Sequence, residues 1–156
     1  MSTVSTMSTA TTSHTPTLID ARGPRFGAAI TTSVLALALV FHSPVAIIFQ
    51  LVVFATGALL GPQKTLYGLI YRTFVKSHLK GGIPTEDVRP PQFAQRVGFG
   101  FALVATLGLV ASSALTFTIA TSFALAAAFL NAAFDYCLGC EIYLLIARLR
   151  HRSTAK

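Results

Sequence analysis

Charge is what this sequence has least of. Asp, Glu, Lys and Arg make up 11% of its 156 residues, against 53% hydrophobic ones, where a soluble domain carries roughly 25% charged residues. The shortage is concentrated in two places. Residues 26–63 hold no charged side chain and neither do residues 97–134, two blocks of 38 positions each. With a mean hydropathy of +0.67 over the whole chain, such runs exclude an ordinary soluble domain. Cysteine is scarce as well, with two in the chain beside four scattered histidines (His14, His42, His78 and His151). A structural zinc site needs four N or S ligands, so two thiolates would suit a soft Cu(I)-like ion at most. No metal or other cofactor is expected. The chain also lacks a glycine-rich nucleotide loop, a nucleophile elbow and an HExxH string, which removes the commonest signatures of nucleotide, ester and peptide chemistry.

A helix of 38 residues would be about 57 Å long, against a hydrocarbon core of about 30 Å. Each block is therefore read as two short spans. FHSPVA places His42, Ser43 and Pro44 in the middle of the first block, and VASSALT places Ser112 and Ser113 near the middle of the second. Polar residues and proline suit turns at those points. The predicted fold is an all-α membrane protein with four transmembrane helices in two tandem hairpins, spanning residues near 26–41, 45–61, 97–113 and 116–136. Residues 65–79, with Leu66, Leu69, Ile70 and Phe74 on one side and Arg72 and Lys76 elsewhere, read as an amphipathic helix lying on the membrane surface.

All twelve Lys and Arg lie before, between or after the blocks, and none lies at a hairpin turn. The positive-inside rule then puts both termini and the central segment on the cytoplasmic side of the membrane. The net charge of +7 follows from that topology and from attraction to anionic lipid. Nucleic-acid binding is not expected, because the basic residues are not interleaved with stacking aromatics. The first 17 residues hold eleven Ser or Thr and no charge, the composition of a disordered tail; residues 18–150 form the membrane domain and 151–156 a basic tail.

Two strings match across the chain. DARGPRF from Asp20 and DVRPPQF from Asp87 share Asp-x-Arg-x-Pro-x-Phe at an offset of 67 residues, and each leads into a charge-free block. Equal blocks behind matched openings point to a duplication whose two units share one orientation in the membrane. Asp20 with Arg22, and Asp87 with Arg89, are expected to cap the helices and anchor them at the interface.

The remaining polar chemistry lies in NAAFDYCLGCEIYLL, Asn131 to Leu145. Cys137 and Cys140 sit one turn apart on a helix, near enough to pair, and Glu141 beside them is a candidate base. At about 100° per residue, Asn131 and Asp135 fall about 40° apart, while the cysteines lie on the opposite side. On a continuous helix the two sets cannot share a pocket; they converge only if the helix breaks, near Leu138-Gly139. Asp135, a carboxylate near membrane depth, is expected to be structural or to line a path, with Arg25, Arg89 and Arg96 as candidate partners.

Asp20-x-Arg-x-Pro-x-Phe, PPQFAQRVGFGFALV from Pro90 and LNAAFDYCLGCEIYLL from Leu130 together resemble the bacterial membrane family catalogued as domain of unknown function 4395. The resemblance spans Leu18 to Arg150, and its motif positions are Asn131, Cys137, Gly139, Cys140 and Glu141. It implies an integral membrane domain with cytoplasmic-side cysteines, and it turns attention to thioredoxin-like or rhodanese-like partners. Three functions are open at this point. One is thiol–disulfide or sulfane-sulfur exchange through Cys137, Cys140 and Glu141 with such a partner. Another is a small transporter or channel subunit, built as a homo-oligomer, with Asn131 and Asp135 along its path. The third is a membrane scaffold in which the cysteines only pack.

Overall fold

Each charge-free block folds back on itself as a helical hairpin in the computed structural model, which describes residues 17–78, 82 and 84–154. The first hairpin is α1 (Arg22–Phe41) and α2 (Pro44–Leu60); the second is α4 (Arg89–Val110) and α5 (Ala114–Phe134). Between them comes α3 (Leu66–Ile70), and α6 (Leu138–Thr154) follows the second hairpin. Polar residues inside the blocks make the turns. His42 adopts a left-handed conformation at φ 46°, and the Ser43 hydroxyl accepts the Ala46 N–H at 3.3 Å just before Pro44. The second turn repeats this plan, with Ser112 at φ 54° and the Ser113 hydroxyl accepting the Thr116 N–H at 3.4 Å. Serine at the cap and proline in the first turn deal with the N–H groups that a helix start leaves without partners.

Across the bundle, α1 packs along α5 and α2 along α4, and α4 also lies close to α5. Ala102 and Ala105 on α4, with Ala120 and Ala124 on α5, are buried at these contacts. Small side chains let apolar helices approach when lipid, rather than water, is the competing solvent. The outer surface is the reverse of a soluble protein's: Val40, Val45, Leu59 and Val110 are each more than 70% exposed. An apolar cover of that kind marks a surface meant for contact. α1, α4 and α5, with 20, 22 and 21 residues, are long and apolar enough to cross a membrane, whereas α2 is apolar but has 17.

The chain is not entirely helical. β1 (Leu18–Asp20) pairs antiparallel with β2 (Thr85–Asp87), setting Leu18 opposite Asp87 and Asp20 opposite Thr85. This ribbon ties the starts of α1 and α4 together, extended by the Val88 N–H donating to Thr17 O at 3.0 Å. The segment expected as one amphipathic helix over 65–79 runs as α3 to Ile70, then as a π-helical turn to Val75 and a 3-10 turn to His78; Leu79 lies outside the described residues. Within the basic tail expected at 151–156, α6 continues through Thr154, and residues 155–156 lie outside those described. The reading of a Ser/Thr-rich tail falls on residues 1–16, outside those described, and on Thr17.

The two units repeat each other in detail. Asp20 accepts the Arg22 N–H at 3.1 Å, and Asp87 accepts the Arg89 N–H at 3.0 Å. Phe26 meets Tyr71 with ring centroids 5.7 Å apart, and Phe93 meets Tyr143 at 5.8 Å. α3 lies on α1 as α6 lies on α4. Gly27 on α1 faces Tyr67, and the residue 67 positions on, Ala94 on α4, faces Gly139.

Candidate functional site

The cysteines sit at the corner between α5 and α6, and a backbone reversal builds that corner. Asp135 closes α5 in the left-handed conformation at φ 57°, with its N–H and that of Tyr136 both donating to Leu130 O. Asp tolerates this conformation better than most residues because its short side chain bonds locally. The helix therefore stops two residues before Cys137 and restarts at Leu138. The break lies earlier than Leu138-Gly139, and the fourth helix ends at Phe134 instead of 136.

Restarting there makes Cys137 the cap of α6. Its Sγ accepts the Cys140 N–H at 3.3 Å, and its carbonyl accepts the Glu141 N–H at 3.0 Å. The first unit has the same device: the Thr65 hydroxyl accepts the Gly68 N–H at 3.0 Å at the start of α3. Thus Cys137 stands where Thr65 stands, and Cys140 where Gly68 stands. Cys137 and Cys140 are joined as a disulfide with a Cα–Cα separation of 5.2 Å, and both are half-buried. Glu141 is exposed in the first turn of α6, where a carboxylate is favoured by the helix dipole. Gly139 fixes how α6 lies: a Cβ there would come within 2.6 Å of Ala94 Cβ and 2.7 Å of Ala94 Cα. The glycine in CLGC is a packing requirement of the α4–α6 contact.

The break also re-sorts the polar residues at the end of α5. Asp135 turns outward, its side chain 68% exposed, and forms an ion pair with Arg25 at 3.9 Å. The Arg25 Nε–H also donates to Ala132 O at 3.3 Å, at the carbonyl end of α5, where a cation suits the helix dipole. Glu86 on β2 lies nearby; burial first, then the negative charge of Asp135, pushes its carboxyl above the usual range. Asn131 stays on the inner side. It lines, together with Cys137, a cavity of about 270 Å³ between α1, α4, α5 and the start of α6. A continuous helix would have kept Asn131 and Cys137 apart, and the corner brings them to one wall.

The ribbon residues do different work. Asp20 accepts the Tyr71 hydroxyl at 3.1 Å, and the Arg22 guanidinium donates to Gly82 O at 3.2 Å. Both tie the ribbon to its neighbours on the first unit. Burial and the contact with Asp20 raise the Tyr71 hydroxyl above its ordinary range. Asp87 and Arg89 meet through the backbone bond already given.

Sequence reasoning passed over two amides, Gln50 and Gln95, and the partners of the first. The Tyr67 hydroxyl donates to Gln50 Oε1 at 2.9 Å, and Gln50 Nε2 donates to Thr31 Oγ1 at 3.3 Å, all of them buried. Burial pushes the Tyr67 hydroxyl up to about 12. Gln95 lines the same cavity as Cys137, with a buried Oε1 that has no hydrogen-bond partner. Gln50 is the one amide between Arg25 and Gly61, and polar residues in apolar blocks mark interior contacts. That signal would have found it. Among the described residues, no three His, Cys, Asp or Glu side chains come together as a metal site.

Fold and corner together define a helical bundle of membrane-crossing dimensions that carries a Cys-x-x-Cys disulfide at a helix N-terminus. The chain belongs to the family described as Domain of unknown function (DUF4395), which matches residues 19–148. No curated protein and no solved structure matches it.

Proposed function

We propose that this is a four-span protein of a bacterial inner membrane whose Cys137–Cys140 pair exchanges disulfide or sulfane sulfur with a thioredoxin-like or rhodanese-like partner in the cytoplasm. The observation that carries this reading is Cys137 at the cap of α6, its sulfur held by the Cys140 N–H. A helix N-terminus stabilises a thiolate and lowers the pKa of the thiol that caps it. Cys137 is therefore the attacking residue of the reduced pair. Its thiolate attacks one sulfur of the partner's disulfide, that S–S bond breaks, and the partner leaves as a thiolate. The Cys140 thiolate then attacks Cys137 Sγ, breaking the mixed disulfide and releasing the second partner thiol. Two electrons pass to the partner, and Cys137–Cys140 ends as the disulfide. With a persulfide donor, Cys137 takes the outer sulfur and Cys140 releases it as hydrosulfide, closing the same bond.

The orientation rests on the distribution of charge. The ribbon, α3 and the cysteine corner lie at the end of the bundle that carries the basic residues, while the two hairpin turns carry none. In this reading α2 is the fourth span, and its 17 residues cover about 26 Å of a core about 30 Å thick. The test is a trapping experiment in cells. Cys140→Ser leaves the attacking sulfur and removes the resolving one, so a mixed disulfide with a cytoplasmic protein should accumulate. It should be absent in Cys137→Ser and dispersed by dithiothreitol. If neither variant traps a partner, and neither cysteine alkylates in inverted vesicles, the proposal fails.

A further inference from the structure

Disulfide exchange with a protein in water makes no use of the cavity beside Cys137. That cavity runs from the corner into the bundle, and its inner end is formed by Phe101 and Phe123, stacked with centroids 6.0 Å apart and planes 19° from parallel. Asn131 and Phe123 are eight residues apart on α5, so the cavity extends about 12 Å along the helix axis. Most of its wall is apolar, with the amides of Asn131 and Gln95 near the Cys137 end. Gln95 contributes to the wall as well, while its Oε1 is turned away from the cavity and packs over Gly57 on α2, which leaves Asn131 as the amide placed to meet an occupant. The helices around it present an apolar outer surface, the kind a lipid-soluble molecule approaches.

These features describe an occupant that is flat and apolar, carries oxygens that hydrogen-bond at one end, and sits against a sulfur that changes oxidation state. We infer that the cavity binds the head group of a membrane quinone, and that the Cys137–Cys140 dithiol is oxidised by it. The inference rests on the thiol-exchange reading above, with the exchange run in its reverse direction: a partner dithiol reduces Cys137–Cys140 and becomes a disulfide, and the quinone then reoxidises the pair. Two S–H bonds break and one S–S bond forms; the two electrons and two protons convert both quinone carbonyls to hydroxyls. Asn131 has an amide to donate to a carbonyl oxygen and an amide oxygen to accept from the quinol hydroxyl once it exists. The ring lies on the Phe101–Phe123 floor. An acyl chain of a lipid would fill the same space but would take no electrons.

The full chain in phospholipid nanodiscs, reduced and desalted, is mixed without oxygen with decylubiquinone, whose ring has no free position for thiol addition. One quinol should form for each pair of thiols lost to alkylation. Ala127→Trp, which fills the cavity, and Asn131→Leu should each slow quinol formation at least about tenfold, or about 1.4 kcal/mol. Oxidation of the same variants by glutathione disulfide should stay within about twofold of the unmodified chain. Cys137→Ser should abolish both reactions. The inference is overturned if glutathione disulfide closes the pair while decylubiquinone stays oxidised, or if Ala127→Trp forms quinol at the unmodified rate. If neither oxidant closes the pair, the thiol-exchange reading falls, and this one with it.

Discussion

Gly139 leaves no room for a methyl group against Ala94, yet the first unit solves the same contact with a tyrosine. There the small residue is Gly27 on α1 and the large one is Tyr67 on α3. The contact therefore has one small partner on either side, and the two units chose opposite sides. Gly139→Ala should destabilise the protein by about 1–3 kcal/mol through overpacking. Adding Ala94→Gly should recover most of that loss, and a double-mutant cycle on thermal unfolding in detergent measures the coupling. A second residue prediction concerns Asp135. Its ion pair with Arg25 is about half exposed, and such pairs are worth about 0–1 kcal/mol. Its left-handed backbone matters more. Asp135→Asn should leave unfolding nearly unchanged, whereas Asp135→Val, which resists positive φ, should cost about 1–2 kcal/mol.

At the scale of the elements, the ribbon and the α5–α6 corner meet through Glu86. Burial and Asp135 raise its carboxyl, so the folded state holds its proton to higher pH than the unfolded chain does. Where the folded state binds more protons, stability falls as pH rises. The contribution of Glu86 is present below the ordinary carboxylate range, about pH 4.3, and is lost as pH climbs through the raised value. Glu86→Gln should match the unmodified chain in acid and exceed it at neutral pH, and melting temperatures across that range decide the matter. The hairpins were legible because membrane helices announce themselves by missing charge, and His42-Ser43-Pro44 and Ser112-Ser113 were the few polar breaks available. The ribbon was not, because three residues show no alternation. Nor was the stop at Asp135: an aspartate inside an apolar run reads equally as an interior acid or as a left-handed cap, and only packing decides. The wheel that kept Asn131 from Cys137 was sound for a continuous helix, and it failed because the helix is not continuous. Gln95 lies 36 residues before Asn131, and no local pattern joins them.

For the molecule as a whole, topology is the property that most constrains function. Phe41→Cys and Ala111→Cys, placed at the exposed ends of α1 and α4 in a chain lacking Cys137 and Cys140, should react with a membrane-impermeant maleimide only from outside intact cells. Labelling of either from the cytoplasmic side would reverse the orientation and put the cysteine corner in the oxidising compartment. The exchange partner would then have to be sought in that compartment and not in the cytoplasm.

The two similar units, finally, differ in length. α2 has 17 residues against 20 in α1, while α5 has 21 against 22 in α4. Both hairpins start from one ribbon, so α2 returns about 4–5 Å short of it and α5 about 1.5 Å short. One corner is recessed and the other comes up level with the ribbon. The recessed corner is also shut, since a Cβ at Gly68 would strike the backbone of Pro62 and Gln63, and Tyr67 seals it from within. The two units thus present matching corners that differ in how far each is filled. In the first a buried tyrosine occupies the space, and in the second a glycine leaves the half-buried sulfurs beside an open cavity.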